Sequence, residues 1–110
     1  MEILMKRGDI VTCVLSGDYG KPRPAVIVQS NLFNPTHASI VVCPVTSHLV
    51  DAQLFRLLLT PSKSTGITIP SQIMVDKITA IKAEKITKKI GKLSSGEILK
   101  LDEALKLFVF

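Results

Sequence analysis

The sequence predicts one mainly-β domain, a small barrel of short strands capped by a single C-terminal helix. Three observations carry this. Short β-branched runs recur along the chain, separated by segments rich in Gly, Pro and Asn. Apolar residues at clear helical spacing occur only after Ser94. The length of 110 residues with 46% hydrophobic content supports one core and is too short for two. The domain is therefore expected to span residues 1–110, with no linker, internal repeat or low-complexity tract.

The first strand is expected over residues 10–15 (IVTCVL), opened by Arg7-Gly8-Asp9 and closed by Ser16-Gly17. Residues 16–22 (SGDYGKP) carry two glycines and a proline, an exposed loop. Residues 24–29 (PAVIVQ) lack alternation, which predicts a strand buried on both faces or a barrel strand. A second loop covers residues 31–37. Residues 39–45 (SIVVCPV) form the third strand, with Pro44 interrupting its pairing near the end. Residues 54–59 (LFRLLL) suit a strand better than a short helix, given their length and the Thr60-Pro61 that follows. Residues 63–66 are a turn. Residues 71–81 (SQIMVDKITAI) place Ile73, Val75, Ile78 and Ile81 inward. The change of register between Val75 and Ile78 implies a bulge. Residues 85–92 (KITKKIGK) form a last short strand. Ser94 and Glu97 then fit a capping box, and Ile98, Leu101, Leu105 and Phe108 line one helical face.

The net charge is +5, and all of the excess lies in one segment: residues 77–92 hold six lysines and one acid, Glu84. Such a stripe suits a polyanion or an acidic peptide, as well as a plain solvated face. No apolar run is long enough to span a membrane, and no signal peptide is read at the start. Cys13 and Cys43 lack metal-ligand spacing and read as reduced core thiols of a cytoplasmic protein. His37 and His48 stand without metal-ligand company, and no metal or cofactor site is expected. Phosphate-cradling glycine motifs and a nucleophile elbow are missing from the sequence.

Two short segments could carry chemistry. In Lys21-Pro22-Arg23-Pro24 a cation sits between two prolines just where a buried strand begins, so its backbone is restricted. In Pro44-Val45-Thr46-Ser47 two hydroxyls follow an apolar strand, placed either to face a cleft or to bond nearby backbone. Together with Arg7-Gly8-Asp9-Ile10, KPRPAVIV over 21–28, VCPVTS over 42–47 and VDKITAI over 75–81, the chain resembles the MazF/PemK/Kid toxins. The order and spacing of these segments fit, and the likeness runs from about Lys6 through the final helix.

That resemblance implies an SH3-like barrel of the CcdB/PemK type, usually a homodimer. It implies a sequence-selective, metal-independent endoribonuclease that cleaves single-stranded mRNA to 2′,3′-cyclic phosphate and 5′-hydroxyl ends. It also implies a partner antitoxin, MazE/PemI-like, whose acidic tail fills the RNA groove. The RNA 2′-hydroxyl is the nucleophile, so the protein must accept its proton, stabilise the added charge and protonate the leaving oxygen. Arg23 matches the family's catalytic arginine, Thr46 its catalytic threonine or serine, and Asp76 the acid of its later strand, a third catalytic residue that could orient a base, contact RNA or accept the proton. Ser47, Lys21 and Lys77 are expected to touch RNA, and Tyr19 to stack on a base. Met74 departs from relatives that carry an arginine two residues before the acid, which leaves the general base unassigned. Lys77 departs from a frequent glutamine. Two other readings share the fold: a nucleic-acid-binding module without activity, and a gyrase poison of the CcdB type. The second depends on a C-terminal Trp-Gly-Ile, whereas this chain ends Phe108-Val109-Phe110 and has no tryptophan.

Overall fold

The computed structural model describes residues 5–15, 20–31, 38–52 and 54–109. Among them run β1 (Asp9–Val14), β2 (Pro22–Ile27), β3 (Ser39–Thr46), β4 (Arg56–Leu59), β5 (Ser71–Met74), β6 (Thr79–Lys82), β7 (Ile86–Lys92) and α1 (Ser95–Val109). The strands pair antiparallel in the order β4-β5-β3-β2-β1-β7, and β6 pairs with β3 off this path. β4 and β7 end the ladder, so the sheet is a rolled, open barrel. No helix among the described residues is long and apolar enough to cross a membrane.

The missing alternation in β2 has a direct cause. Ile10, Val26, Cys43, Val45 and Ile73 pack into one core cluster with Leu101 and Ala104 of α1. Their chain neighbours Val11, Ala25, Ile27 and Val42 pack into a second cluster with Cys13, Ile40 and Ile86. The period of two is present, but both faces are apolar because both are covered. Leu101 is fully buried, and its truncation to alanine would cost roughly 2–5 kcal/mol.

β3 organises the site end of the barrel. Its residues 39–42 pair with β6, whereas Val45 and Thr46 pair with β5. Pro44, which has no N–H to donate, falls in the gap between these two pairings. The register change expected after Val75 is not a bulge. It is a 3-10 turn over Val75–Lys77 that carries the chain from β5, at one end of β3, to β6 at the other. A second 3-10 turn, Ala83–Lys85, precedes β7, which therefore starts at Ile86.

The capping box forms in both directions: Ser94 N–H donates to Glu97 Oε1 at 2.8 Å, and Glu97 N–H to Ser94 Oγ at 3.2 Å. On the expected apolar face, Leu101 is buried, and Ile98 and Leu105 pack on the core. Phe108 is half-exposed, its ring 6.1 Å from that of Phe55. The Arg7-Gly8-Asp9 motif is architectural. Arg7 Nε donates to Val28 O at 3.0 Å, and its Nη2 pairs with Asp102 of α1 at 2.6 Å. Asp9, buried, accepts from Lys6 N–H and from Lys89 Nζ at 3.2 Å.

Candidate active site

A cleft of about 530 Å³ opens where β2 begins and β3 ends, lined by Arg23 and Pro24 from one strand and by Thr46 and Ser47 from the other. Register explains the meeting. Ala25 pairs with Pro44, so two further steps along the antiparallel strands bring Arg23 level with Thr46. Thr12 of β1, Met74 at the end of β5, residues 66–69 and Ile90 of β7 complete the walls. The 66–69 wall depends on close approach. Gly66 has φ +74°, and a Cβ there would lie 2.2 Å from Ile90 O. On β7, a Cβ on Gly91 would lie 2.2 Å from the Thr65 carbonyl.

Thr46 is held by its own turn. Its Oγ accepts the His48 N–H at 3.1 Å, which leaves the hydroxyl proton to be donated. Gln72, paired with Thr46 across β3–β5, braces the same turn from outside. Its side-chain amide accepts Val50 N–H at 3.0 Å and donates to Val50 O at 2.8 Å. The mostly buried amide thus imitates one more strand pairing, holding the residues that follow Thr46.

The remaining expected residues are distributed unevenly. Ser47 is exposed on the cleft, and Lys21 is exposed at the approach to β2. Lys77 is exposed on the 3-10 turn and Asp76 sits beside it, neither lining the cleft. The Asp76 carboxylate is bound at both oxygens by Arg56, Nε to Oδ1 at 2.7 Å and Nη2 to Oδ2 at 3.0 Å. Those hydrogen bonds hold Asp76 below the usual carboxylate range. Tyr19 and His37, with most of the loops expected over 16–22 and 31–37, lie outside the described residues. Burial, and then the charge of Asp76, pushes the Cys43 thiol up to about 12, so it is no nucleophile at neutral pH. Among the described residues no three His, Cys, Asp or Glu side chains gather into a metal-binding group.

The family model described as PemK-like, MazF-like toxin of type II toxin-antitoxin system matches residues 6–109. The chain belongs to that family. It is 39% identical over 106 residues to a probable endoribonuclease MazF of Mycolicibacterium smegmatis, covering 96% of each chain. It is 34% identical over 113 residues to endoribonuclease MazF9 of Mycobacterium tuberculosis, covering 94% of this chain and 95% of that one. Among solved structures, it resembles a mycobacterial endoribonuclease in complex with its cognate antitoxin, with TM-score 0.80 and 20% identity over 96% of this chain and 94% of the other. A MazE-MazF structure from Deinococcus radiodurans matches with TM-score 0.79 and 16% identity, over 98% and 97%. At these identities the two structures speak for the fold alone. Nothing in the comparisons favours the gyrase-poison or non-cleaving readings.

Within this family member, Arg56 and Gln72 support the site although neither belongs to the motifs that mark it in the sequence. Arg56 carried a signal, a lone cation inside the apolar run LFRLLL. Its β4 position pairs with Met74, and that pairing brings it to Asp76, two residues further on. Gln72 carried no signal, because its role depends on a turn that folds back from another strand.

Proposed function

We propose that this chain is the toxin of a type II toxin–antitoxin pair and that it cleaves single-stranded RNA at the Arg23–Thr46 cleft. The observation that carries this is the convergence of Arg23 and Thr46, from two strands, on one open cleft. The attacking group is the substrate's own 2′-hydroxyl. It closes on the adjacent phosphorus while the bond to the 5′-oxygen breaks, leaving a 2′,3′-cyclic phosphate and a 5′-hydroxyl. The guanidinium fork of Arg23 holds two phosphoryl oxygens and stabilises the charge that builds there. The Thr46 hydroxyl, oriented by His48 N–H, donates to the same phosphate and keeps it in line. Ser47 and Lys21 hold RNA at the cleft mouth and Lys77 touches it further along, while Tyr19 keeps the base-stacking part that the family resemblance implies. Asp76 is a weak base while Arg56 binds it, so its part is to hold Arg56 across from Met74.

In the cell this reading places the protein in the cytoplasm as a homodimer, silenced by an antitoxin whose acidic segment competes for the cleft. The test is incubation of purified protein with a long single-stranded RNA in EDTA, beside Arg23→Ala and Thr46→Ala. Discrete fragments with 5′-hydroxyl ends, lost in both variants, are expected. Intact RNA from folded, antitoxin-free protein would overturn the ribonuclease reading and leave a binding module, whose affinity falls with salt.

A further inference from the structure

The six lysines of residues 77–92 look like one stripe in sequence, but the fold divides them. Lys82 pairs with Ser39, seven residues along β3 from Thr46. At about 3.3 Å per residue that is about 23 Å along β3 from Thr46. Lys85 ends the next turn and precedes Ile86, whose partner Cys13 also pairs with Arg23, so its distance from the cleft is not set by the Lys82–Ser39 pairing. Lys89 pairs with Val11 of the second core and its ammonium is bound to Asp9. Lys92 pairs with Asp9, at the opposite end of β1 from the cleft strands' meeting point. Lys88 is placed differently. It pairs with Thr12, which lines the cleft, and it lies two residues before Ile90, which also lines it.

The face follows from the same pairing. Val11 and Cys13 point into the second core, so Thr12 between them points the other way, towards the cleft. Residues directly opposite on antiparallel strands share a face, with Cα atoms about 5 Å apart, so Lys88 shares Thr12's. A register shift beside Thr12 leaves Thr87 as the extra residue. The Thr12 and Thr87 hydroxyls bond at 2.5 Å, and Thr87 Oγ donates to Thr12 O at 3.0 Å. Those protons are used within the pair, which pins the bulge and leaves the Lys88 ammonium as the strip's outward donor. β7 ends the ladder; residues 64–66 pack against it at Ile90–Lys92, whereas Thr87 and Lys88 are exposed.

We propose that the β1–β7 edge is the path by which the RNA backbone leaves the cleft, with Lys88 holding a phosphate that flanks the one being cut. The inference rests on the ribonuclease reading. An RNA is favoured over an acidic peptide because the strip is continuous with the cleft, and a strand whose scissile phosphate sits at Arg23 carries further phosphates over its rim.

The probe is a mixed-sequence 2′-O-methyl oligoribonucleotide, which lacks the attacking hydroxyl and stays intact. Its affinity is measured across a salt series for the wild type, Lys88→Gln and Lys82→Gln. Cleavage of unmodified RNA in EDTA is scored in parallel. Losing one phosphate contact makes the slope of log affinity against log salt shallower by about 0.7. That change is expected for Lys88→Gln and not for Lys82→Gln. An unchanged slope for Lys88→Gln, in protein that still cleaves unmodified RNA, overturns the path and leaves the ribonuclease reading standing. A slope unchanged for RNA but a weakened hold on polyglutamate would assign the edge to an acidic peptide, and also overturns it. Failure of the wild type to cleave unmodified RNA removes the reading beneath the proposal, a result separate from either slope.

Discussion

Arg7 and Arg23 are the same side chain put to opposite uses. Arg7 is wrapped: its guanidinium bonds the Val28 carbonyl and the Asp102 carboxylate, joining the start of β1 and the end of β2 to α1. Arg23 lies between two prolines on an exposed strand start, at the mouth of a cleft. The difference teaches that chemistry here follows from backbone placement. A cation set in a packing joint serves the fold, and one set at a strand end beside a cleft lines that cleft.

Substitution of each arginine is the sharpest way to break that contrast. Arg23→Ala is expected to lower kcat/KM on RNA by about a hundredfold or more while its Tm stays within a degree or two of the wild type's. Arg7→Ala is expected to do the reverse, costing about 1–2 kcal/mol of stability with little loss of activity in the folded protein. Thermal and urea unfolding, beside a cleavage assay, read both. A large loss of stability in Arg23→Ala would erase the distinction.

Gln72 sharpens it further, because it touches neither substrate nor core chemistry. Gln72→Leu removes both bonds to Val50 and frees the turn after Thr46. The expectation is a fall of about tenfold in kcat with KM nearly unchanged, since the turn orients the donor rather than holding RNA. A rise in KM alone would show instead that the turn serves binding.

The smallest effect concerns the third arginine. Arg56 holds Asp76 below its usual range, so the charged carboxylate is favoured by the folded state. A group with a depressed folded value contributes stability above its unfolded value and loses it as pH falls through the folded one. Asp76→Asn should therefore be less stable by about 1 kcal/mol at pH 7. The gap should close on acidification below about pH 4, the range of a free aspartate. Thermal melts from pH 7 to pH 3 check this, and a gap constant with pH would mean that the pair's charge contributes nothing.

The strands were legible because β-branched runs between turn residues leave few other structures open, and the helix because its capping box announces its start. The bulge expected after Val75 was misread for an instructive reason. A bulge and a 3-10 turn both displace an apolar pattern by one step, and only the need to move from one end of β3 to the other selects the turn. Arg23 and Thr46 were visible as motifs. Asp76 was visible too, but not its commitment to Arg56, since a cross-strand pair leaves no spacing rule in the chain. The lysine stripe looked uniform because sequence proximity carries no sense of face or edge.

By itself, then, the sequence determined the elements, the two-sided burial of β2, the capped helix and the residue types suited to phosphate chemistry. These follow from local backbone preferences and from the amount of apolar material available to bury. Tertiary structure alone decided that Arg23 stands level with Thr46, that Gln72 braces the turn behind it, that Asp76 belongs to Arg56, and that Lys88 shares a face with Thr12. Each of these is a statement about register between distant strands, which is set by the packing of both core clusters together.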